Sequence, residues 1–274
     1  MPELPEVETV RRSLELVVIG KQIKETEVFY SRIIRTPVDI DEFKLLLQGQ
    51  TIQSIGRRGK YLLFYFKDVV LISHLRMEGK YLFQETEEPI DKHTHVIFHF
   101  TDGSRLLYRD VRKFGTMDLV PLGLEDDFMG IRKLGQEPIS PEFEKEKFVA
   151  IVQKKNSPIK QILLDQEIVS GLGNIYVDDS LALARIHPLR AGNSLTKEEL
   201  FKLINAMKEV LEKAIEKGGS TIRTFESFYG KGSMQDHLIV YGRQGQPCYF
   251  CGSIIAKIKV AGRGTHFCPI CQRL

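Results

Sequence analysis

All four cysteines of this 274-residue chain lie in two short stretches near its C-terminus, CYFC at residues 248–251 and CPIC at residues 268–271. Each C-x2-C turn directs two thiolates at one tetrahedral ion, and the sixteen residues between the turns fit a four-cysteine zinc site. Two disulfides are the alternative, which we disfavour because thiols stay reduced inside cells. Since four protein ligands leave no open coordination position, the predicted zinc ion is structural. Its ligands are Cys248, Cys251, Cys268 and Cys271.

The sequence between the two cysteine pairs predicts a β-hairpin. Residues 254–260 are strand-like, AGRGT at 261–265 is the predicted turn, and His266 and Phe267 begin the return strand. The turn would display Arg263 between two glycines. An exposed arginine at the tip of a zinc ribbon suits contact with a phosphate group.

The charged residues are distributed unevenly along the chain, whose net charge is only +3. Residues 1–150 hold 22 basic and 25 acidic side chains, whereas residues 151–274 hold 17 and 11. Such an asymmetry is typical of nucleic-acid surfaces, but a mildly basic solvated face explains it equally well.

Export and membrane insertion are both disfavoured by the sequence. The apolar runs are short, like the one at residues 61–66, and none approaches the length of about 18 residues that spans a bilayer. Glu3, Glu6 and Glu8 stand where an export signal would be basic and then apolar. We therefore expect a cytoplasmic protein with no membrane partner.

Strand-like patterns dominate the first half of the chain after one N-terminal helix. Residues 5–18 place their apolar side chains on one helical face before Gly20 ends the pattern. Between residues 21 and 120, short runs rich in β-branched and aromatic residues alternate with Gly, Asp and Pro. This arrangement predicts a β-sandwich or barrel.

The second half of the chain is predicted to be helical. A short helix at 157–164, the turn SGLGN at 170–174 and a helix at 175–184 are compatible with a helix–turn–helix unit that contacts phosphates. Most helical hairpins with glycine turns bind nothing, so this pattern alone is a weak signal. Thr196 with Glu199 predicts a capping box that opens a long amphipathic helix.

The first eight residues, MPELPEVE, contain the most unusual candidate chemistry. Removal of Met1 would expose Pro2 as a secondary amine, and an α-amino group titrates at about pH 8, well below a lysine. Such an amine can attack an electrophilic carbon and form an iminium, with the adjacent Glu3 moving protons. The alternative is that the prolines only stiffen the start of the helix and the glutamates favour its positive end.

Three further segments carry candidate nucleic-acid contacts. RRGK at 57–60 is either a solvated basic turn or a phosphate cluster with one positioned lysine, and the methionine of RMEG at 76–79 is either a wedge between bases or a buried gap-filler. DVRKFG at 110–115 interleaves basic and aromatic residues, as surfaces that combine phosphate contact with base stacking do.

Taken together, these segments closely resemble the bacterial formamidopyrimidine-DNA glycosylases, the Fpg or MutM family, from end to end. The resemblance is carried by PELPEVE at 2–8, SHLRMEG at 73–79, DVRKFG at 110–115, GLGNIY at 171–176 and the cysteine finger. Only the first and the last of these are specific when taken singly. Asp178-Asp179 departs from the Asp-Glu that is common in relatives, and we expect no consequence of that difference.

The resemblance implies an α+β fold of two domains. The first is an N-terminal β-sandwich with flanking helices, and the second is a C-terminal helical domain with a helix–two-turn–helix and a zinc ribbon, with DNA in the cleft between them. We place the catalytic sandwich domain at 1–135, a linker at 136–150, the helix–two-turn–helix domain with its lesion-capping loop at 151–233, and the four-cysteine zinc finger at 234–274. The capping loop corresponds to residues 220–236.

The resemblance also implies an activity and the residues that carry it. The family excises oxidised purines, chiefly 8-oxoguanine and formamidopyrimidines, from damaged double-stranded DNA and then cleaves the strand by β,δ-elimination. We expect a monomeric bifunctional glycosylase and AP lyase, associated with DNA in the bacterial cytoplasm, with one structural Zn2+. The motifs assign Pro2 as nucleophile, Glu3 as general acid/base, Lys60 to β-elimination and Arg263 to δ-elimination. They assign Met77, Arg112 and Phe114 to the gap left in the duplex, and His93, Lys155 and Asn174 to phosphates.

Two other functions remain open at this point. The related endonuclease VIII type prefers oxidised pyrimidines, but it usually has glycine at the third place after Met, where this chain has Pro2-Glu3-Leu4-Pro5. The loop with Arg76 and Met77 also argues against that branch. A non-catalytic DNA-binding zinc protein of the same fold is the alternative from a different class.

Overall fold

The computed structural model describes residues 1–220 and 232–274, so most of the predicted capping loop, residues 221–231, lies outside the described residues. The described residues form two compact units, the first comprising 1–132 with Ser220 and Gly232, and the second comprising 133–219 and 233–274. Residues 136–150, which we expected to be a linker, belong to the second unit, and a helix begins within them at Lys145. The division into these four segments remains a prediction.

Two sheets, almost entirely antiparallel, build the first unit, which confirms the predicted sandwich. One sheet has the strand order β1-β7-β8-β6 and the other the order β2-β9-β5-β4-β3, in which only β2 and β9 run parallel. Alternate side chains of both sheets point into one core, with Phe64 and Phe98 among its largest members. The strands are β1 (Ile23–Val28), β2 (Ile34–Thr36), β3 (Ser54–Arg58), β4 (Tyr61–Tyr65), β5 (Val69–His74), β6 (Lys80–Gln84), β7 (Thr94–Phe100), β8 (Arg105–Arg109) and β9 (Thr116–Pro121).

Three helices flank these sheets: α1 (Leu4–Val18), α2 (Ile40–Leu47) and α3 (Met129–Arg132). Helix α1 begins one residue before the predicted start and buries Val7, Val10 and Leu14 against the sandwich. It packs against β3 and β4, which fixes the chain's first residues relative to the β3–β4 turn.

The second unit is a helical domain with a small β-hairpin, as predicted. Its helices are α4 (Lys145–Val152), α5 (Ile159–Leu164), α6 (Asn174–Leu183) and α7 (Lys197–Glu216), and its strands are β10 (Ala256–Val260) and β11 (Arg263–Phe267). Thr196 and Glu199 form the predicted capping box at the start of α7, and buried apolar side chains of the four helices share a second core. Short 3-10 turns lie at Ser31–Ile33, Glu125–Asp127, Gly192–Ser194 and Met234–His237.

The hairpin of the second unit is tighter than the sequence predicts. We expected a turn over residues 261–265, but Arg263 already pairs with Val260 as the first residue of β11. The turn therefore consists of Ala261 and Gly262 alone, both with positive φ (47° and 76°), which is the geometry of a two-residue type I′ hairpin. The predicted exposure of Arg263 is nevertheless correct.

No helix in residues 1–220 and 232–274 is both long enough and apolar enough to cross a bilayer.

Candidate functional site

The N-terminal candidate residues are buried at the start of α1. Pro2 is buried and Glu3 is only 3 % exposed. The backbone N–H of Glu3 donates to one carboxylate oxygen of Glu6 at 2.8 Å, as part of a reciprocal capping box between the two glutamates. The other oxygen of Glu6 accepts from the backbone N–H and the hydroxyl of Ser220, at 2.8 and 3.2 Å. Glu6 therefore ties the Pro2-Glu3 backbone to the residue that enters the 220–236 segment.

Glu6 is a site residue that sequence reasoning missed. Its position at N3 of α1, three residues after Glu3, is the signal that would have found it, because N3 glutamates commonly accept from the N-cap backbone. The contact with Ser220, 214 residues away, has no sequence signal.

Lys60 lies in a two-residue turn between β3 and β4, where Arg58 pairs with Tyr61. Its neighbour Gly59 has a φ of 55°, which favours glycine. The Arg57 guanidinium donates to the Gly59 carbonyl at 2.9 Å and to a Glu8 carboxylate oxygen at 3.0 Å. An ion pair from α1 thus holds the turn that presents Lys60, whose side chain is mostly buried.

Glu8 is the negative centre of a basic cluster on this side of the sandwich. Burial by itself raises the pKa of Glu8, but hydrogen bonds from Arg11, Arg12 and Arg57 outweigh it and lower that pKa to about 2. Glu8 is consequently ionised at neutral pH and compensates part of the positive charge around Lys60.

His74, at the end of β5, lies within the SHLRMEG motif, and we expected it to be an ordinary strand histidine with no role in the site. Its Nδ1 accepts the backbone N–H of Arg76 at 2.9 Å, and its ring packs edge-on against Tyr61 at 4.6 Å. Burial lowers the pKa of His74 to about 3, helped by the positive charges of Arg76 and Lys60. His74 is therefore neutral at physiological pH and lies in a region of positive potential.

Four of the predicted DNA contacts meet at one rim of the sandwich. Met77 and Phe114 are exposed on two neighbouring loops, and the Arg112 guanidinium stacks on the Phe114 ring at 4.7 Å. The carbonyl of His93 accepts the backbone N–H of Asp110 at 2.9 Å, which places His93 beside the same loop. An exposed aromatic, a cation stacked on it and a flexible apolar side chain form a surface suited to unstacked bases.

Asn174 and Arg263 come together in the second unit. The side-chain amide of Asn174, the first residue of α6, donates to the carbonyl of Gly264 at 2.9 Å, directly after Arg263. The Lys160 ammonium donates to the same carbonyl at 3.3 Å and to Asp178 at 2.6 Å. The start of α6 and a buried lysine thus fix the strand that carries the exposed arginine.

Lys160 is a further residue that sequence reasoning missed. Lys160 and Asp178 are both 0 % exposed at their side chains, and Asp178 also accepts the backbone N–H of His266 at 2.8 Å. Our predicted phosphate contact, Lys155, lies in the turn after α4, is half-buried, and joins that turn through its backbone to Val152 and Asn193. A lysine at the start of a short helix gives no local sign that it is buried in an ion pair.

Asp179 fastens the segment that enters the ribbon. Its carboxylate accepts backbone N–H groups of Ile239, Val240 and Tyr241 at 2.7–3.1 Å. Complete burial raises the pKa of Asp179 to about 6, although these three donors favour the ionised form. The aspartate at this position therefore reaches the backbone of residues 239–241 directly.

The four cysteines converge as predicted. Their ligand atoms all lie within 4.8 Å of one another, with Sγ–Sγ distances of 3.5 Å for Cys251–Cys268 and 4.0 Å for Cys248–Cys271. Zn–S bonds of about 2.3 Å in a tetrahedron place sulfurs about 3.8 Å apart, so one zinc ion fits the set. In the ranges that the structure describes, no other group of three or more potential ligands has this geometry. The site is a structural zinc centre.

Comparison with known families places these features in one context. Residues 1–117 match the family model described as the formamidopyrimidine-DNA glycosylase N-terminal domain, and residues 134–226 match the formamidopyrimidine-DNA glycosylase H2TH domain. Residues 245–274 match the zinc finger found in FPG and IleRS. The chain belongs to the formamidopyrimidine-DNA glycosylase family. This confirms the resemblance drawn from the sequence and its implied α+β architecture.

Relatives across the whole length agree with membership of this glycosylase family. The formamidopyrimidine-DNA glycosylase of Cytobacillus firmus is 55 % identical over 273 residues, which is 99 % of this chain and all of the relative. That of Streptococcus pneumoniae strain R6 is 54 % identical over 274 residues, which is all of this chain and 99 % of the relative.

Solved structures of the glycosylase family share the fold. A mutant of the Lactococcus lactis FPG in complex with a Fapy-dG-containing DNA superposes with a TM-score of 0.95 at 47 % identity, covering both chains completely. The Lactococcus lactis Fpg in complex with DNA containing an abasic site gives a TM-score of 0.94 at 46 % identity, over 99 % of this chain and 100 % of the other.

Proposed function

We propose that this protein is a base-excision-repair DNA glycosylase and AP lyase that removes oxidised purines from damaged double-stranded DNA. The observation that carries the proposal is the buried N-terminal Pro2-Glu3 pair, fixed by Glu6 at the start of α1, in a chain that belongs to this family along its whole length. The 8-oxoguanine and formamidopyrimidine substrates and the strand cleavage are part of the proposal.

The chemistry begins with the Pro2 nitrogen once Met1 has been removed. An α-amino group with a pKa of about 8 is partly unprotonated at neutral pH, so its lone pair can attack the sugar C1′. The new C1′–N bond replaces the glycosidic bond, the damaged base leaves with a proton, and opening of the sugar ring yields an iminium. Glu3, adjacent to the nucleophile, supplies and removes the protons of these steps.

Strand cleavage follows from the same intermediate. The iminium acidifies the C2′ proton, so its removal expels the 3′ phosphate (β-elimination), and a second proton loss expels the 5′ phosphate (δ-elimination). We assign the first step to Lys60 and the second to Arg263, since each can stabilise a leaving phosphate or take part in proton transfer. Water then hydrolyses the iminium and frees Pro2.

The remaining site residues serve base extrusion and DNA positioning. Taking a base out of the stack costs a few kcal/mol, and Met77, Arg112 and Phe114 offset that cost by filling the gap. His93, Lys155 and Asn174 contact phosphates, with Asn174 doing so from the N-terminus of α6. The four cysteines hold the zinc ion, which orders the ribbon and takes no part in bond breaking.

Trapping with sodium borohydride tests the nucleophile directly. The intact protein, with Met1 removal verified by mass, is incubated with a duplex that contains 8-oxoguanine opposite cytosine, and the reductant then fixes the iminium as a stable adduct. We expect adduct formation with the wild type and with Pro5→Ala as the matched control, and none with protein that retains Met1, because the Pro2 nitrogen is then an amide with no nucleophilic lone pair. Adduct formation at the wild-type rate by the protein that retains Met1 would overturn the assignment, and absence of the adduct in the wild type would favour a non-catalytic DNA-binding protein.

Substrate preference separates the proposal from the endonuclease VIII type. Excision of 8-oxoguanine opposite cytosine is compared with excision of thymine glycol under identical conditions. We expect the purine lesion to be preferred, and exclusive action on pyrimidines would contradict the proposal.

Cellular setting and assembly are also proposals. We propose a monomer in the bacterial cytoplasm, divided into domains at 1–135, 136–150, 151–233 and 234–274. Sedimentation of the free protein and of its DNA complex measures the oligomeric state, and a mass corresponding to two copies would contradict the proposed monomer.

A further inference from the structure

Loops 75–79 and 110–115 cross the rim of the sandwich side by side. Loop 75–79 leads from β5 to β6, and loop 110–115 leads from β8 back to β9. Strands β5 and β9 are neighbours in one sheet, where His74 pairs with Thr116, and β6 and β8 are neighbours in the other, where Lys80 pairs with Arg109. Both ends of one loop are therefore hydrogen-bonded to the ends of the other, although their sequences are about 35 residues apart.

Asp110 is the internal anchor of loop 110–115. It is 0 % exposed, and its carboxylate accepts three backbone N–H groups. One oxygen accepts from Arg112 at 3.0 Å, and the other accepts from Phe114 and Gly115 at 2.9 and 2.8 Å. The exposed Arg112 and Phe114 are thus held through their own backbone by one buried charge, which makes these charge-assisted bonds strong.

The backbone of Asp110 is fixed as firmly as its side chain. Its N–H donates to the carbonyl of His93 at 2.9 Å, and its carbonyl accepts from the His95 ring at 2.7 Å. The anchor is therefore attached to β7 and its preceding turn, and loop 110–115 has little freedom to move as a whole.

Tyr108 connects the two loops from beneath. A methyl group added at Gly79 or at Gly115 would overlap the Tyr108 hydroxyl, so both loop backbones pass directly against it. That hydroxyl is buried and has no hydrogen-bond partner, although a phenol normally finds one. The phenol consequently fills the space between one glycine of each loop and sets the distance between them.

Both loops also contain a residue in the left-handed region. Arg76 has a φ of 54° and Lys113 a φ of 58°, and they are two of only four non-glycine residues with positive φ in the described ranges 1–220 and 232–274. Such conformations persist only where the surroundings fix them, and they concentrate at functional sites. Here each one lies beside a residue assigned to the gap, Met77 or Phe114.

We propose that Asp110 and Tyr108 are positioning residues that join loops 75–79 and 110–115 into one rigid wedge. On this view Met77, Arg112 and Phe114 enter the duplex together, because their relative positions are set before DNA binds. Flexible loops would lose conformational entropy when their side chains insert into the duplex, and loops that are already rigid avoid that cost. The inference rests on the proposed function, since it concerns how that activity opens the duplex.

The first test compares Asp110→Asn with the wild type on two probes. The first probe is a duplex with 8-oxoguanine opposite cytosine, and the second is a single-stranded oligonucleotide with an abasic site, trapped by borohydride. The single strand has no stack to fill, so the wedge matters only for the duplex. The NH2 group of an asparagine would face at least one of the three backbone N–H donors, so one charge-assisted hydrogen bond is lost. We therefore expect the kcat/KM for duplex excision to fall about tenfold. Single-strand trapping should stay within about twofold.

Asp102→Asn is the matched control for this variant. Asp102 also accepts the N–H and hydroxyl of a turn residue, Ser104, but it lies on the β7–β8 turn away from both loops. We expect its ratio of duplex excision to single-strand trapping to equal that of the wild type. If Asp110→Asn lowers both activities in proportion, Asp110 only supports the fold and the proposal is wrong. A wild type that shows neither activity would instead refute the proposed function.

The second test uses Tyr108→Phe. If Tyr108 positions the loops, this substitution should lower duplex excision without lowering the thermal stability. Removing a buried hydroxyl that has no partner relieves an unsatisfied polar group, so the Tm should be unchanged or higher. It also leaves a gap between Gly79 and Gly115, so duplex excision should fall about threefold while single-strand trapping is retained. An unchanged rate of duplex excision, whatever the Tm, would overturn the role of Tyr108.

Discussion

The start of helix α1 and the tip of the zinc ribbon both present a candidate catalytic group, but they are held in different ways. At α1, the Glu6 carboxylate at the helix end accepts hydrogen bonds from Glu3 and Ser220. At the ribbon, Arg263 is exposed beside a turn, and the strand behind it is fixed by the cysteine cluster and by Lys160 with Asp178. The proposed nucleophile, Pro2, thus depends on a local helix-capping contact together with one distant partner, whereas the strand of Arg263 depends on distant partners in α5 and α6.

Removal of zinc should have the largest effect, because it should unfold the ribbon and leave the unit that contains α1 folded. Structural zinc sites contribute about 10 kcal/mol or more of folding free energy, so chelation should unfold the ribbon. We expect affinity for an abasic-site duplex, measured by fluorescence anisotropy, to fall at least about tenfold, while the first unit keeps its thermal transition. Unchanged DNA binding by demetallated protein would argue against a role for the ribbon.

Lys160→Met should produce the next largest effect. It leaves Asp178 buried without its ammonium partner, and breaking a buried pair in this way costs about 3–5 kcal/mol of stability. Urea unfolding measures the loss, with the exposed neighbour Lys154→Met as control, which should change stability by less than about 0.5 kcal/mol. Equal effects of the two substitutions would mean that the ion pair does not hold the ribbon.

A fall in pH should change the stability contributed by Glu8, in α1, and by Asp179, in α6, in opposite directions. The pKa of Glu8 is lowered from 4.5 to about 2, so its contribution is present above pH 4.5 and is lost as the pH falls towards 2, by about 3 kcal/mol at most. The pKa of Asp179 is raised to about 6, so its contribution is present below pH 3.8 and is lost as the pH rises through 6.

Two variants isolate these contributions in unfolding experiments from pH 2 to 7. Glu8→Gln should flatten the stability profile between pH 2 and 4.5, and Asp179→Asn should flatten it between pH 4 and 6. Identical profiles for wild type and variants would show that neither carboxyl has a different pKa in the folded protein.

Glu6→Gln tests the local constraint at α1. The glutamine side chain has only one oxygen, so its NH2 group must face the N–H of either Glu3 or Ser220, which then loses its acceptor. A hydrogen bond to a charged group is worth about 1.5–3 kcal/mol. We expect a stability loss of that size together with slower borohydride trapping. Glu15→Gln, on the same helix in a partly exposed pair with Arg11, should leave trapping unchanged. Normal trapping by Glu6→Gln would show that Pro2 is positioned by other contacts.

Ala261→Gly should have the smallest effect and the opposite sign. Ala261 has a φ of 47°, which glycine adopts without penalty, so the substitution should stabilise the ribbon by up to about 1 kcal/mol. Thermal unfolding of the zinc-loaded protein measures this, and Lys257→Gly, within β10, should destabilise instead. A loss of stability in Ala261→Gly would mean that the hairpin turn has another geometry.

The features predicted correctly from the sequence are those whose signal is local. Cysteine spacing identified the metal ligands, and Thr196 with Glu199 identified the start of α7. The turn of the ribbon was misjudged, because a strand can begin at Arg263 between glycines once Val260 is there to pair with it. Local propensity says little about such pairing.

Two of the contacts that were missed depend on partners far away in sequence. Lys160 is separated from Asp178 by 18 residues and from Gly264 by 104, and Ser220 is 214 residues from Glu6. Burial of a lysine or a glutamate is decided by whether such a partner is present, and a linear pattern does not contain that information.

The sequence by itself determined the zinc ligands, the helix and strand periodicities and the family to which the chain belongs, because each of these depends on residue type and spacing along the chain. Only the tertiary structure decided that two loops about 35 residues apart share one rim, and that Asp110 and Tyr108 lie beneath them. The physical reason is that sheet pairing brings distant strand ends together, and the connecting loops must then follow the same path.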